Sequence, residues 1–153
     1  MACMYKPANK DELHELVANP EICLGDIDTS LITDMSELFE GVYNREDFSG
    51  IENWDTSQVT DMSGMFVGMG NFNQPIGNWN TSQVSDMSGM FFKAKNFNQP
   101  IGNWDTSQVT DMHAMFAEAE SFNQPIGNWN TSLVTDMSKM FYRGKNFTYV
   151  IRK

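Results

Sequence analysis

Five aspartates, Asp34, Asp61, Asp86, Asp111 and Asp136, each follow a Thr or Ser and precede a Met, and from Asp61 onward they stand 25 residues apart. A column of carboxylates suggests a bridging divalent cation, with Asp28, Asp55 and Asp105 as extra ligands. Asn80 and Asn130 replace that second acid in alternate copies, and no Gly-punctuated acidic loop follows. The favoured reading is therefore that each Asp satisfies free N–H groups at the start of a helical turn. Such satisfaction would offset a repulsion of about 1–3 kcal/mol between stacked neighbours. The pairs Met62/Met65, Met87/Met90, Met112/Met115 and Met137/Met140 place two thioethers three residues apart, a spacing able to share copper(I). Every pair adjoins a Phe, which favours packing over metal binding. No metal and no cofactor are expected.

Hydroxyl chemistry comes in columns too: Thr29, Thr56, Thr81, Thr106 and Thr131, the Ser after each, and Thr33, Thr60, Ser85, Thr110 and Thr135. A flat Thr/Asn face suits ice or a glycan, whereas side-chain bonds to turn backbone are the favoured explanation. The Asn residues around each turn, such as Asn71, Asn73 and Asn78, fit that explanation as well. Triplets at Asn80, Asn130 and Asn146 are glycosylation acceptors only in a eukaryotic secretory route. His14 and His113 are far apart in sequence, with no Cys/His cluster, nucleophile elbow or phosphate-cradling Gly loop. Equivalent aspartates also lack the unlike environments that acid–base catalysis requires. The expectation is no enzyme and no catalytic residue.

The elements that would position these side chains follow from one period. Trp54, Trp79, Trp104 and Trp129 lie 25 residues apart, each in the phrase NW or its variants followed by [DN]TSxV[TS]DM. A fixed period of this length means one supersecondary unit stacked on copies of itself. Apolar columns headed by Ile51, Trp54, Val59, Met62, Met65 and Phe66 form its predicted core. Val59 and Thr60 are read as a short strand, Asp61 as a cap, Met62 to Gly68 as one or two helical turns, and Pro-Ile-Gly as the return. Residues 1–26 are read as an N-terminal cap, because Asn9 and Glu12 have capping-box spacing ahead of Leu13, Leu16 and Val17. Repeats occupy 27–147, with residues 43–47 bulging as a surface loop. A closing strand at Tyr149, Val150 and Ile151 falls within a C-terminal closure, 148–153. The expected fold is thus α/β, a single domain of about five 25-residue repeats in a leucine-rich-repeat-like solenoid.

The phrase FNQPIGNWNTSQVSDMSGMF resembles the 25–26-residue bacterial surface-protein repeat of the BspA-like leucine-rich-repeat family, a domain of unknown function. YKPANKDELHELV followed by LGDIDTSLITDMSELF is similar to the opening of shorter members. The resemblance implies the solenoid, and often a surface or adhesion role, but no activity and no catalytic residues.

Net charge is −10 and the sequence pI is near 4.4, which disfavours nucleic acid and anionic lipid as partners. No stretch approaches a membrane span, and no signal peptide is read at the start, so the default expectation is cytoplasmic. Cys3 and Cys23 read as free thiols. A protein partner is therefore expected, on the positions where the copies disagree: Phe92, Lys93, His113, Glu118, Lys139, Tyr142 and Arg143. That strip also includes Gly64, Val67, Gly89, Ala114 and Ala117. End-to-end self-association through an under-capped last repeat is the second expectation, and a Thr/Asn ligand face the third.

Overall fold

A computed structural model describes residues 3–144. The expected 148–153 closure with Tyr149, Val150 and Ile151, and the Asn146 triplet, lie outside them. Helix α1 runs Lys10–Val17, with the Asn9 side chain accepting from the Glu12 N–H and Glu12 reaching back to the Ala8 N–H. Leu13 and Val17 are buried by this helix, while Lys10 and His14 tie it to the first repeat through Ser36 Oγ (3.0 Å) and the Leu38 carbonyl (2.8 Å). Ahead of α1, Tyr5 pairs in parallel with Ile27, adding one rung before the repeats begin.

Successive repeats then stack in register. Parallel bridges join Asp34 to Asp61, Asp61 to Asp86, Asp86 to Asp111 and Asp111 to Asp136. Either side of each bridge, alternate N–H groups point along the stack: those of Met62, Gly64, Phe66 and Gly68 donate to the carbonyls of Asp86, Ser88, Met90 and Phe92. The intervening N–H groups close local turns, Met65 to Met62 and Met69 to Phe66.

Helical turns are absent from this stretch, contrary to the sequence reading. Met62 to Gly68 is a run of consecutive β-turns, and the third residue of each, Gly64 and Gly68, has φ of 61° and 72°. An α-helix cannot contain those conformations, whereas a type II turn requires one. Nor does Val59–Thr60 make a strand; among the described residues pairing is confined to isolated bridges.

Side chains on the inner face form columns. Phe39, Phe66, Phe91, Phe116 and Phe141 stack at 5.5–5.7 Å between centroids, and Trp79, Trp104 and Trp129 at 6.3–6.5 Å with planes 3–4° apart. A further aromatic column that the sequence reading overlooked, Phe48, Phe72, Phe97 and Phe122, packs 4.1 Å from the first in three repeats. Val, Ile and Met columns fill the space between, nearly all fully buried. Polar atoms within this core are spoken for. Each Trp Nε1 donates backward, to Leu24, Ile51, Ile76 or Ile101 carbonyls at 2.8–3.0 Å. Thr29, Thr56, Thr81 and Thr106 are buried and donate forward, to the carbonyls of Asp55, Asn80, Asp105 and Asn130. That column therefore is not an exposed lattice face, because its hydroxyls are consumed in joining repeats.

Residues 43–47 also depart from expectation. Tyr43 is exposed, but Arg45 turns inward and is buried, donating to the carbonyls of Val17, Asn19, Ile22 and Asp47 at 2.6–3.1 Å. Burial pulls the guanidinium's pKa down, against the opposing pull of Asp47, and the carbonyl cage at the end of α1 compensates the charge.

Repeats approach closely at Gly102, where an added Cβ would stand 2.6 Å from the Pro125 carbonyl oxygen, whereas Gly70 faces open space. Gly102→Ala is expected to lower stability by about 1–3 kcal/mol and Gly70→Ala to change it little; urea midpoints of the two variants would decide, and equal midpoints contradict the close stacking.

Candidate functional site

Two side-chain systems are repeated often enough to be sites. The first is the aspartate column. Each Asp Oδ1 accepts from the N–H two residues on, at 2.8 Å, in Asp34, Asp61, Asp86, Asp111 and Asp136. Where that residue is Ser, its hydroxyl donates to the same oxygen at 2.6–2.7 Å. These are Asx turns, not helix caps. Asp28, Asp55, Asn80, Asp105 and Asn130 make the same bond to the N–H of Ser30, Ser57, Ser82, Ser107 and Ser132. Only an acceptor oxygen is needed, which explains why Asn and Asp interchange there. Ser107 and Ser138 hold the Asp105 and Asp136 carboxyls below the ordinary range. Burial pushes Asp34 up, but Ser36 and Lys10 outweigh it and the net shift is downward. Among the described residues no group of three His, Cys, Asp or Glu side chains is arranged to hold a metal ion.

The second system is the run of turns. Each repeat has two left-handed positions, and the ten residues there are Glu37, Gly64, Gly89, Ala114 and Lys139, then Gly41, Gly68, Lys93, Glu118 and Arg143, all with φ between 53° and 76°. Glycine is the unstrained choice; any other residue costs roughly 1 kcal/mol or more in this conformation. Four of the ten are Gly and six are not, and five of those six are charged. Two of the columns where the copies differ most, those of Gly64 and Gly68, are thus positions where the backbone prefers no side chain at all.

These residues converge. A groove of about 500 Å³ runs across the turns of neighbouring repeats and is lined by five of the seven strip residues: Phe92, His113, Glu118, Lys139 and Tyr142. The other two are held against its rings, Lys93 Nζ 5.2 Å from the Phe92 centroid and Arg143 Cζ 5.0 Å from that of Tyr142. Arg143 also faces Glu118 at 4.0 Å. Phe92 is half-buried, and Ala117 is buried between it and Tyr142. Glu37 and Ser63 line the same groove and were missed; Glu37 is the first repeat's counterpart of Gly64, a correspondence visible once that worn copy is aligned.

His113 replaces the Ser of the other four Asx turns. Its Nδ1 lies 2.7 Å from Ser138 Oγ, whose proton already goes to Asp136 at 2.6 Å. Nδ1 is therefore the donor, and in the neutral ring Nε2 is left as an acceptor. Asp136 contacts the serine rather than the imidazole's far nitrogen, so the three groups lack the order of a nucleophilic triad. His14 is committed to docking α1.

A second groove, about 580 Å³, is lined by Pro75, Pro100 and Pro125 with the Gly and Asn of the same turns, identical in each copy. The exposed hydroxyls of Thr60, Ser85, Thr110 and Thr135 each donate to the carbonyl of the preceding repeat. Cys3 and Cys23 are free and exposed, and among the described residues no helix is long and apolar enough to cross a membrane.

A family model described as "Mycoplasma protein of unknown function, DUF285" matches residues 9–101 and 33–153. The chain belongs to this family. No curated protein and no solved structure matches it. DUF285 membership accounts for the repeats and assigns them no activity.

Two outcomes follow from this geometry. Lys139→Gly is expected to stabilise the fold by about 0.5–1 kcal/mol, because relief at φ 58° exceeds the added freedom of the unfolded chain; a lower denaturation midpoint contradicts it. Asp105 has a folded pKa below the 3.8 of the free side chain, so its contribution is complete above 3.8 and is lost as pH falls through the folded value. The stability gap between wild type and Asp105→Asn is accordingly expected to be larger at neutral pH than in strong acid, read by thermal melts; a gap independent of pH contradicts the assignment.

Proposed function

We propose that this DUF285 chain is a non-catalytic protein-interaction module, built as a leucine-rich-repeat-like solenoid of the BspA-like kind, that docks its partner on the strip of turns. One observation carries the reading: residues of three columns where the repeats differ, those of Gly64, Val67 and Gly68, gather in and beside a single groove, although two of the three columns are positions where the backbone favours glycine. Buried aromatic columns and Asx turns are satisfied internally and leave little to recognise. Phe92 and Tyr142 offer anchors of the type that dominates binding at protein interfaces, ringed by charges of both signs. The aspartates have matching partners from repeat to repeat, which speaks against acid–base chemistry. A surface or adhesion role is the setting that the BspA-like resemblance suggests for such a module.

A photo-crosslinking residue at Val67, on the strip, is compared with one at Thr110 on the hydroxyl ladder, in lysate of the native host. Discrete adducts from Val67, lost in the double variant Phe92→Ser and Tyr142→Ser, are expected. The same adducts from Thr110, or none from Val67, would remove the strip as the docking face.

A further inference from the structure

We infer that the strip takes an extended acidic peptide segment carrying one large apolar side chain, seated in the notch between Phe92 and Tyr142. This rests on the reading of the strip as a docking face and names its ligand chemistry. The position following each Met-Phe pair is Val67, Phe92, Ala117 and Tyr142 in successive repeats. Two rings therefore stand two repeats apart with a methyl group between them, leaving a slot one repeat wide and floored by Ala117 and Ala114. A slot of that shape accepts a flat or branched apolar side chain and is too narrow for a packed helix, whose neighbours lie 8–10 Å away.

Charge selects what flanks that side chain. In a chain of net charge −10, the walls of this slot carry three cations, Lys93, Lys139 and Arg143, against one acid, Glu118, which faces Arg143 at 4.0 Å. All three sit at left-handed positions, and each cation rests within 5.0–5.8 Å of the Phe92 or Tyr142 ring centroid. The cations are thereby held beside the slot before any ligand arrives, which reduces the ordering that binding requires. Glu37 lies at the opposite end of the same groove and gives the ligand a direction, with its carboxylates toward the Tyr142 end. Long polyanions are disfavoured, because the charge of the remaining chain repels them beyond the reach of three local cations.

The test uses a fluorescein-labelled peptide, Asp-Glu-Phe-Glu-Asp, and fluorescence anisotropy at low salt with the full chain. Saturable binding is expected, weakened about tenfold or more by the triple variant Lys93→Gly, Lys139→Gly, Arg143→Gly. Ala117→Phe, which fills the slot with a residue that the adjacent repeats already tolerate, is expected to abolish it. Thermal melts of both variants at or above the wild-type midpoint show that lost binding is not lost folding. Overturning results are an unaffected affinity in Ala117→Phe, equal binding of Lys-Arg-Phe-Arg-Lys, tighter binding to phosphatidylserine vesicles or a single-stranded DNA oligomer, or no peptide binding. If the Val67 adducts persist while the peptide fails, this inference falls alone; if both fail, the docking face falls with it.

Discussion

One constraint governs this molecule: alternate backbone N–H groups of each turn must reach the carbonyls of the next repeat, so every column advances by little more than the 4.7–4.9 Å of paired strands. Flat rings satisfy that spacing by offset stacking, as the 5.5–6.5 Å centroid distances of the Phe66 and Trp79 columns show. Unbranched methionines at Met62 and Met65 fill what the rings leave. A residue in such a column meets its own kind above and below, and a change in one copy disturbs two neighbours. Repetition of sequence is the chemical consequence of that geometry.

Polar groups obey the same axis but in opposite senses. Indole N–H groups reach back one repeat, Thr81 and its counterparts reach forward, and the Asx turns of Asp61 and Asp86 close locally. Among the described residues no buried side-chain polar atom lacks a partner. The inside is consequently almost uniform, the buried column of Met69, Ala94 and Ala119 being an exception, and the charged differences between copies lie on the turns. At Lys93, Glu118, Lys139 and Arg143 two demands collide, since the backbone favours glycine and the groove carries charge. Six non-glycine residues in that conformation are a strain that the rest of the stack must outweigh.

Much of this was legible in the chain. The spacing of Trp54, Trp79, Trp104 and Trp129 gave the register, Asn9 with Glu12 marked the start of α1, and disagreement among copies pointed to the groove. The misreadings have physical causes. Met62, Met65, Phe66 and Met69 face inward on a helix and also on consecutive four-residue turns, so apolar spacing alone does not separate the two. Gly64 and Gly68, four residues apart, were the discriminating signal, because glycine is a poor helix former but suits a left-handed turn residue. Reading Asp61 as a helix cap followed from that first error. The Phe72 column shared the period and was simply left out of the core. Arg45 could not be read from its neighbours Tyr43 and Asp47, because the carbonyls of Val17, Asn19 and Ile22 are brought to it only by tertiary structure.

That arginine sits in the one stretch that breaks the 25-residue rhythm. Its contacts bind the loop to the end of α1 and so anchor the head of the stack at a single, unrepeatable junction. Beyond it, every interface between neighbours is nearly the same interface. A whole unit duplicated or excised downstream would join surfaces that already fit, whereas the same event across Arg45 would strand a buried cation. Among the described residues, the contacts of Arg45 have no copy elsewhere, whereas those between later repeats are shared from one junction to the next.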